Sequence, residues 1–320
     1  MEVRLVVKAA GFICLDVVGI PGNLTVLLFF CYLRLSDGRL LPNDLILSKL
    51  AFVNLVVVLC RGIPQALTAL GIQNLFGEYG CKVVIYIYRV SRAMSICITS
   101  LLSCYQCIVI APGSTWWMVL KQRVPRSIPL IILLLYGLNC MLCPAGFIYT
   151  STVPNSTIPE YTLNLEFCIV AFPGFKVFMA NGVVHIIRDF VFVGIMAGAA
   201  IYIVQILYYH RKQMRGMHGS DRNQRKTAEA SNSVLMLVAM YVILFGLDNV
   251  MLVYTLCVTR VHPAVNDTRV FFASCYSALS PVFIIATNKK FAARLNCFSH
   301  GQEENIGTTV TTVSHIPTGL

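Results

Sequence analysis

Charge is scarce in this chain. Acidic and basic side chains make up 12% of its 320 residues, about half the share found in soluble domains. No phosphate-binding glycine loop, kinase signature, Gly-x-Ser-x-Gly elbow or His-Glu-x-x-His pair is present, so no catalytic motif marks an enzyme. Cys140-x-x-Cys143 has neither a second pair nor a nearby histidine, and it makes no zinc site. No cofactor or metal is expected. The absence of an internal repeat weighs against an inverted-repeat transporter.

What the chain has is apolar length. Hydrophobic residues reach 57% and the mean hydropathy is +0.73. They fall in seven blocks of membrane-spanning length, roughly Leu5–Tyr32, Leu45–Leu70, Cys81–Ile110, Ile128–Ile148, Val183–Tyr209, Val234–Val258 and Val270–Thr287. The net charge of +11 is distributed by side rather than as a nucleic-acid patch. Arg34, Arg39, Lys121, Arg123, Arg126, the basic run from Arg211 to Lys226, and Lys289, Lys290 and Arg294 lie in the odd connectors and after the last block. The other side has only Arg4, Lys8, Lys82, Lys176, Arg260 and Arg269. The positive-inside rule then places the N-terminus outside and the C-terminus in the cytosol, which an odd number of spans requires. The expected fold is an all-α membrane protein, a seven-transmembrane-helix bundle over residues 1–298, with a disordered tail at 299–320. The first block is long for a signal-peptide core and is expected to serve as the insertion signal itself.

The third block organises the rest. Projected at about 100° per residue, Tyr88, Arg92, Ser95, Thr99, Ser103 and Gln106 share one stripe. A polar stripe on a membrane helix belongs at the middle of a bundle, and the charges of Arg89 and Arg92 require protein or water around them. His185, Arg188 and Asp189 form the densest polar cluster in any span, and Asp189 and Asp248 are the natural countercharges for the arginines. Two readings stand side by side: a buried ion-pair network that fixes packing, or a ligand site for an acidic or polar small molecule. Asn23 and Asn54 are read as interhelical polar contacts.

Cys81 and Cys168 both fall on the oxidising side, where one bond would pin the long loop over the bundle. Asn155-Ser156-Thr157 in that loop is a glycosylation sequon on the correct side, and Asn266 begins another close to the membrane. Cys297 follows the last span, as a palmitoylation site or a free thiol.

Seven spans, an external N-terminus and this cysteine pair resemble a rhodopsin-like G-protein-coupled receptor. The general marks of that class are altered. The acidic-Arg-Tyr triplet reads Tyr105-Gln106-Cys107, the second-helix aspartate position is Asn54, and Asn-Pro-x-x-Tyr reads Ser280-Pro281-Val282-Phe283-Ile284. A narrower group, the type 1 vomeronasal receptors and their fish olfactory relatives, resembles the chain in these places. The matching residues are Cys81-Lys82, Arg89-Val90-x-Arg92, Ser95-Ile96-Cys97-x-Thr99, Leu101-Leu102-Ser103, Gln106, Pro112, Arg188-Asp189, His210 and Ser280-Pro281. The resemblance implies a plasma-membrane receptor for an odorant or pheromone, coupled to a heterotrimeric G protein of the inhibitory class. Its ligand pocket is expected at Tyr88, Arg89, Arg92, Ser95, His185, Arg188, Asp189 and Asp248. Gln106, Lys121, Arg123, Arg211 and Lys212 are expected to face the G protein. A transporter or channel using the same intramembrane charges is the alternative.

Overall fold

A computed structural model describes residues 3–72, 74–152, 161–214, most of 235–251 together with 254, 263–288 and 291. Helix α1 (Val3–Asp37) leads to α2 (Pro42–Val57), a π-helical turn (Val58–Gly62) and α3 (Ile63–Ala69). Then come α4 (Glu78–Ile110), α5 (Thr115–Leu142), the single turn α6 (Ala145–Ile148), and three short strands, β1 (Thr150–Ser151), β2 (Thr162–Asn164) and β3 (Ile169–Ala171). Helices α7 (Phe175–Met214), α8 (Val238–Asp248) and α9 (Pro263–Thr287) complete the described chain. Six helical segments among the described residues are long and apolar enough to cross a membrane. The sixth span read from the sequence, Val234–Val258, is represented by the shorter α8.

Helix α4 is the axis, packed against α2, α5 and α7. Its Val90, Met94, Ile96, Ile98 and Leu102 join Val26, Phe30 and Leu50 in the main core. Helices α5 and α7 turn apolar side chains outward, among them Leu133, Leu134, Ile187 and Val191. Such an outer face suits lipid. Helix α1 packs closely on α9, because a Cβ on Gly19 would lie 2.9 Å from Ala278 Cα and one on Gly22 2.8 Å from Pro281 Cγ. Small residues at such a contact let two membrane helices approach backbone to backbone.

Proline explains several boundaries. Pro64 cannot donate to the carbonyl four residues back, and the chain widens into the π turn just before it. Pro112 holds Ala111 extended (φ −52°, ψ 146°) and ends α4. Helix α5 then starts at Thr115, well before the expected Ile128, so Lys121 and Arg123 lie on a helix rather than in a connector. Hydropathy missed this start because Trp116, Trp117 and the three cations are interfacial rather than apolar. Pro125 and Pro129 sit inside α5, as membrane helices tolerate. Likewise α7 starts at Phe175 rather than Val183, which shortens the loop before it.

That loop carries an antiparallel sheet of order β1-β3-β2. Cys81 and Cys168 form a disulfide that ties it to the start of α4. Phe167, Val170 and Phe172 pack with Ile85 beneath it. Glu166 adopts a left-handed conformation (φ 71°) at the turn between β2 and β3, its backbone N–H donating to Asn164 Oδ1 at 2.8 Å. Asn155, Cys297 and the tail lie outside the described residues, as do the side chains of Arg211, Lys212 and Asn266.

Candidate functional site

The α4 stripe holds together as a buried seam, and each part of it meets a different neighbour. Near the disulfide end, Arg92 donates through Nη2 to Asp248 Oδ2 on α8. One turn on, Ser95 Oγ donates to Asn54 Oδ1 at 2.6 Å, and Asn54 Nδ2 donates to Ser280 Oγ at 2.7 Å. Ser277 Oγ adds a 3.3 Å bond to the same Asn54 oxygen. Thr99 Oγ1 meets the Tyr276 hydroxyl at 2.7 Å. At the far end, Gln106 Nε2 donates to Asn43 Oδ1 at 2.7 Å. Hydrogen bonds along this seam thus join helices α2, α4, α8 and α9. Asn23 extends the network to α1, donating to Gly19 O at 2.8 Å and Ser277 O at 2.9 Å.

A small cavity opens between α4, α8 and α9. Arg92, Ser95, Asp248 and Ser277 supply its polar wall, and Leu244, Phe272, Ala273 and Tyr276 its apolar one. Its volume is about 20 Å³, enough for a water molecule. An odorant needs a pocket of hundreds of Å³. Any ligand lodged there must move α8 or α9 away from α4, across the Arg92–Asp248 pair.

The eight expected pocket residues separate into groups. Tyr88, Arg92, Ser95 and Asp248 lie along this seam and cleft. Arg188 and Asp189 form a second pair on α7, with Nε to Oδ1 at 2.8 Å and Nη2 to Oδ1 at 2.6 Å. Arg188 Nη1 also lies 3.7 Å from Cys143 Sγ. His185 sits one turn before this pair, and both of its ring nitrogens are enclosed without a hydrogen-bond partner among the described residues. Arg89 points elsewhere, packed so closely over α6 that a Cβ on Gly146 would lie 2.8 Å from its Cδ. Among the described residues Arg92 and Arg188 are paired with the expected countercharges, and no ion pair joins Arg89 to either aspartate.

Of the residues expected to face a G protein, Gln106 is buried in the seam. Lys121 Nζ donates to Ala111 O at 2.7 Å, closing the corner between α4 and α5. Tyr276 and Phe272 were not expected in the site. The serines at 274, 277 and 280, spaced three apart on α9, are the signal that this face of α9 points inward.

At the disulfide end a clasp joins α1, α3, α9 and the loop. Lys8 of α1 is ion-paired with Glu166 of the loop and, at 2.8 Å, with Asp267 of α9. Gln65 Nε2 also donates to Glu166 at 2.9 Å. Among the described residues no cluster of three or more His, Cys, Asp or Glu is placed to hold a metal ion.

The comparisons with known proteins agree with one another. A model of the vomeronasal organ pheromone receptor family matches residues 8–296. The chain is similar to olfactory receptor class A-like protein 1 of Danio rerio, 41% identical over 304 residues that cover 95% of this chain and 96% of the relative. It is also similar to vomeronasal type-1 receptor 1 of Homo sapiens, 29% identical over 274 residues covering 85% and 77%. With vomeronasal type-1 receptor 90 of Rattus norvegicus it shares 27% over 292 residues, covering 89% and 92%. A match this long, on a chain with six membrane-length helices and a disulfide-tethered loop, decides the family: the chain belongs to the vomeronasal organ pheromone receptor family and is a multi-pass chemosensory receptor of the plasma membrane.

Proposed function

We propose that this receptor is activated by a small acidic odorant or pheromone that enters between α4, α8 and α9, and that it signals through a heterotrimeric G protein. The observation that carries the reading is the cleft in which Arg92, Ser95 and Asp248 meet Tyr276 and Phe272. A guanidinium suits a carboxylate because two parallel N–H donors match its two oxygens. A carboxylate arriving there competes with Asp248 for Arg92. It thereby favours arrangements in which α8 has swung away, a shift of population between two packings of the bundle.

In this reading the sixth of the seven spans, Val234–Val258, runs through α8, the N-terminus is extracellular and the C-terminus cytoplasmic. Residues 1–298 form the receptor domain and 299–320 a cytoplasmic tail. The positive-inside balance of the sequence supports that orientation, as does the disulfide, which belongs on the oxidising side. Gln106, Lys121, Arg123, Arg211 and Lys212 then lie toward the G protein, Asn155 toward the glycosylating compartment, and the chain catalyses no reaction. Gln65 and Lys8, itself paired with Asp267, hold the loop through Glu166 and frame the ligand's entrance.

The test is a panel of carboxylic acids, amines and neutral steroids applied to cells carrying the receptor at their surface, with G-protein activation as readout. A saturable response to an acid is expected in the wild type and its loss in a surface-expressed Arg92→Ala variant. A full acid response in that variant would reject the pocket. Ligand-gated current without G-protein activation would favour a channel.

A further inference from the structure

The arginine with the least satisfied guanidinium among the described residues is not in the cleft. Arg61 sits in the π turn of the second span and is 3% exposed. Its Cζ lies 5.5 Å from the centroid of Tyr88 and 5.5 Å from that of Phe167, between α4 and the disulfide-bonded loop. Its Nε and Nη1 are enclosed with no hydrogen-bond partner among the described residues. Ring contacts engage the guanidinium face and give no acceptor to in-plane N–H groups. A buried charged donor without an acceptor is costly, so the arrangement is stable only if something else supplies one.

Nearby carboxylates do not. Glu166 is engaged by Lys8 and Gln65, Asp248 by Arg92 and Asp189 by Arg188, while Asp16 Oδ1, packed against Gly62, has no hydrogen-bond partner among the described residues and so supplies none to Arg61. Two further cations, Arg269 and Arg92, share the electrostatic neighbourhood of Arg61 with one carboxylate, Glu166, whose hydrogen bonds go to Lys8 and Gln65. The π turn matters here. One extra residue in the turn rotates Arg61 relative to a regular helix continuing from Asn54, and it comes to lie under the loop.

We propose that Arg61 is an oxyanion-binding residue, which takes the carboxylate of a small organic acid beneath the β1-β3-β2 loop at a subsite separate from the Arg92–Asp248 pair. The proposal rests on reading the receptor's ligand as acidic. The unpartnered donors of Arg61, Nε and Nη1, lie on opposite edges of the guanidinium, so the carboxylate accepts from one of them at a time, with Tyr88 and Phe167 holding the plane in orientation.

The experiment is thermal unfolding of the purified full-length receptor in lipid nanodiscs, titrated with sodium benzoate and, in parallel, with benzamide. Benzoate should raise the midpoint saturably in the wild type and benzamide should not. Arg61→Met removes an unsatisfied charge while keeping an apolar stem, so its ligand-free midpoint should equal or exceed the wild type, and its benzoate response should vanish. Arg61→Lys keeps the charge and loses the rigid, ring-held plane that fixes the N–H directions, and should bind benzoate about tenfold more weakly. Lys82→Gln, which removes a different cation at the same end, should respond like the wild type.

A benzoate shift preserved in Arg61→Met, an equal shift with benzamide, or no benzoate shift in the wild type would each overturn the proposal. So would a lowered midpoint or failure to fold in Arg61→Met, which would make the guanidinium a packing element. The readout involves no G protein. An Arg61-dependent shift without acid-evoked signalling would leave this subsite standing and remove the acidic agonist. Acid-evoked signalling without such a shift would do the reverse.

Discussion

Substituting Asp248 by asparagine keeps the shape of the side chain and removes the countercharge that holds α8 to α4. Loss of one partner from a fully buried ion pair costs about 3–5 kcal/mol, and from an exposed pair less than about 1 kcal/mol. This pair lies between those limits, with 5% of the Asp248 side chain exposed and 31% of Arg92. The second oxygen, Asp248 Oδ1, is enclosed without a partner among the described residues, so the carboxylate is already only half satisfied. A loss of about 2 kcal/mol is therefore expected, borne by the closed arrangement in which the pair exists. Every 1.4 kcal/mol is tenfold in an equilibrium, so the open-to-closed ratio should rise about 30-fold. Basal G-protein activation per surface receptor measures this ratio. Asp248→Asn should raise it, and exchanging the charges (Arg92→Asp with Asp248→Arg) should bring it back toward wild type. Unchanged basal activity in Asp248→Asn, or a charge exchange as active as the single variant, would refute the role given to the pair.

Other outcomes follow from the seam and the loop. Asn54→Leu forfeits three interhelical hydrogen bonds, to Ser95, Ser277 and Ser280, and should lower stability by about 2 kcal/mol in a thermal-unfolding assay; an unchanged midpoint would dismiss Asn54 as a packing centre. Gly19→Val places methyl groups against the α9 backbone and should cost about 1–3 kcal/mol, seen as reduced surface expression that Gly137→Val, with open space around its Cβ position, does not show. Cys168→Ser opens a cross-link spanning 87 residues and should destabilise the receptor by about 4 kcal/mol, with loss of surface expression; a fully expressed, fully responsive variant would remove the loop from the account.

The α4 seam was legible because helical periodicity is a geometric property of the chain. Tyr88, Arg92, Ser95, Thr99, Ser103 and Gln106 share a stripe at 100° per residue, and all of them face inward. The same projection sets Arg89 apart from that stripe, and it does pack over α6; its inclusion in the pocket followed its charge rather than its position. The pairing of cysteines 81 and 168 was legible from sidedness. Arg61 was not, because a π turn breaks the 3.6-residue period and no hydropathy pattern marks the break. Nor was the loop sheet, whose strands of two or three residues are too short for alternation to register. The start of α5 was hidden by cations and tryptophans that suit a membrane interface and lower the apolar signal.

The most direct measurement compares one activating carboxylic acid from the panel with its own primary amide on the wild-type receptor, reading G-protein activation against concentration. The two molecules differ in charge and hardly at all in shape. An arginine-centred site loses a charge-assisted hydrogen bond to the amide, worth about 1.5–3 kcal/mol, so the amide should be at least about tenfold less potent. Equal potency of acid and amide would contradict the acid-binding account and leave the buried arginines as the ion pairs that hold the bundle together.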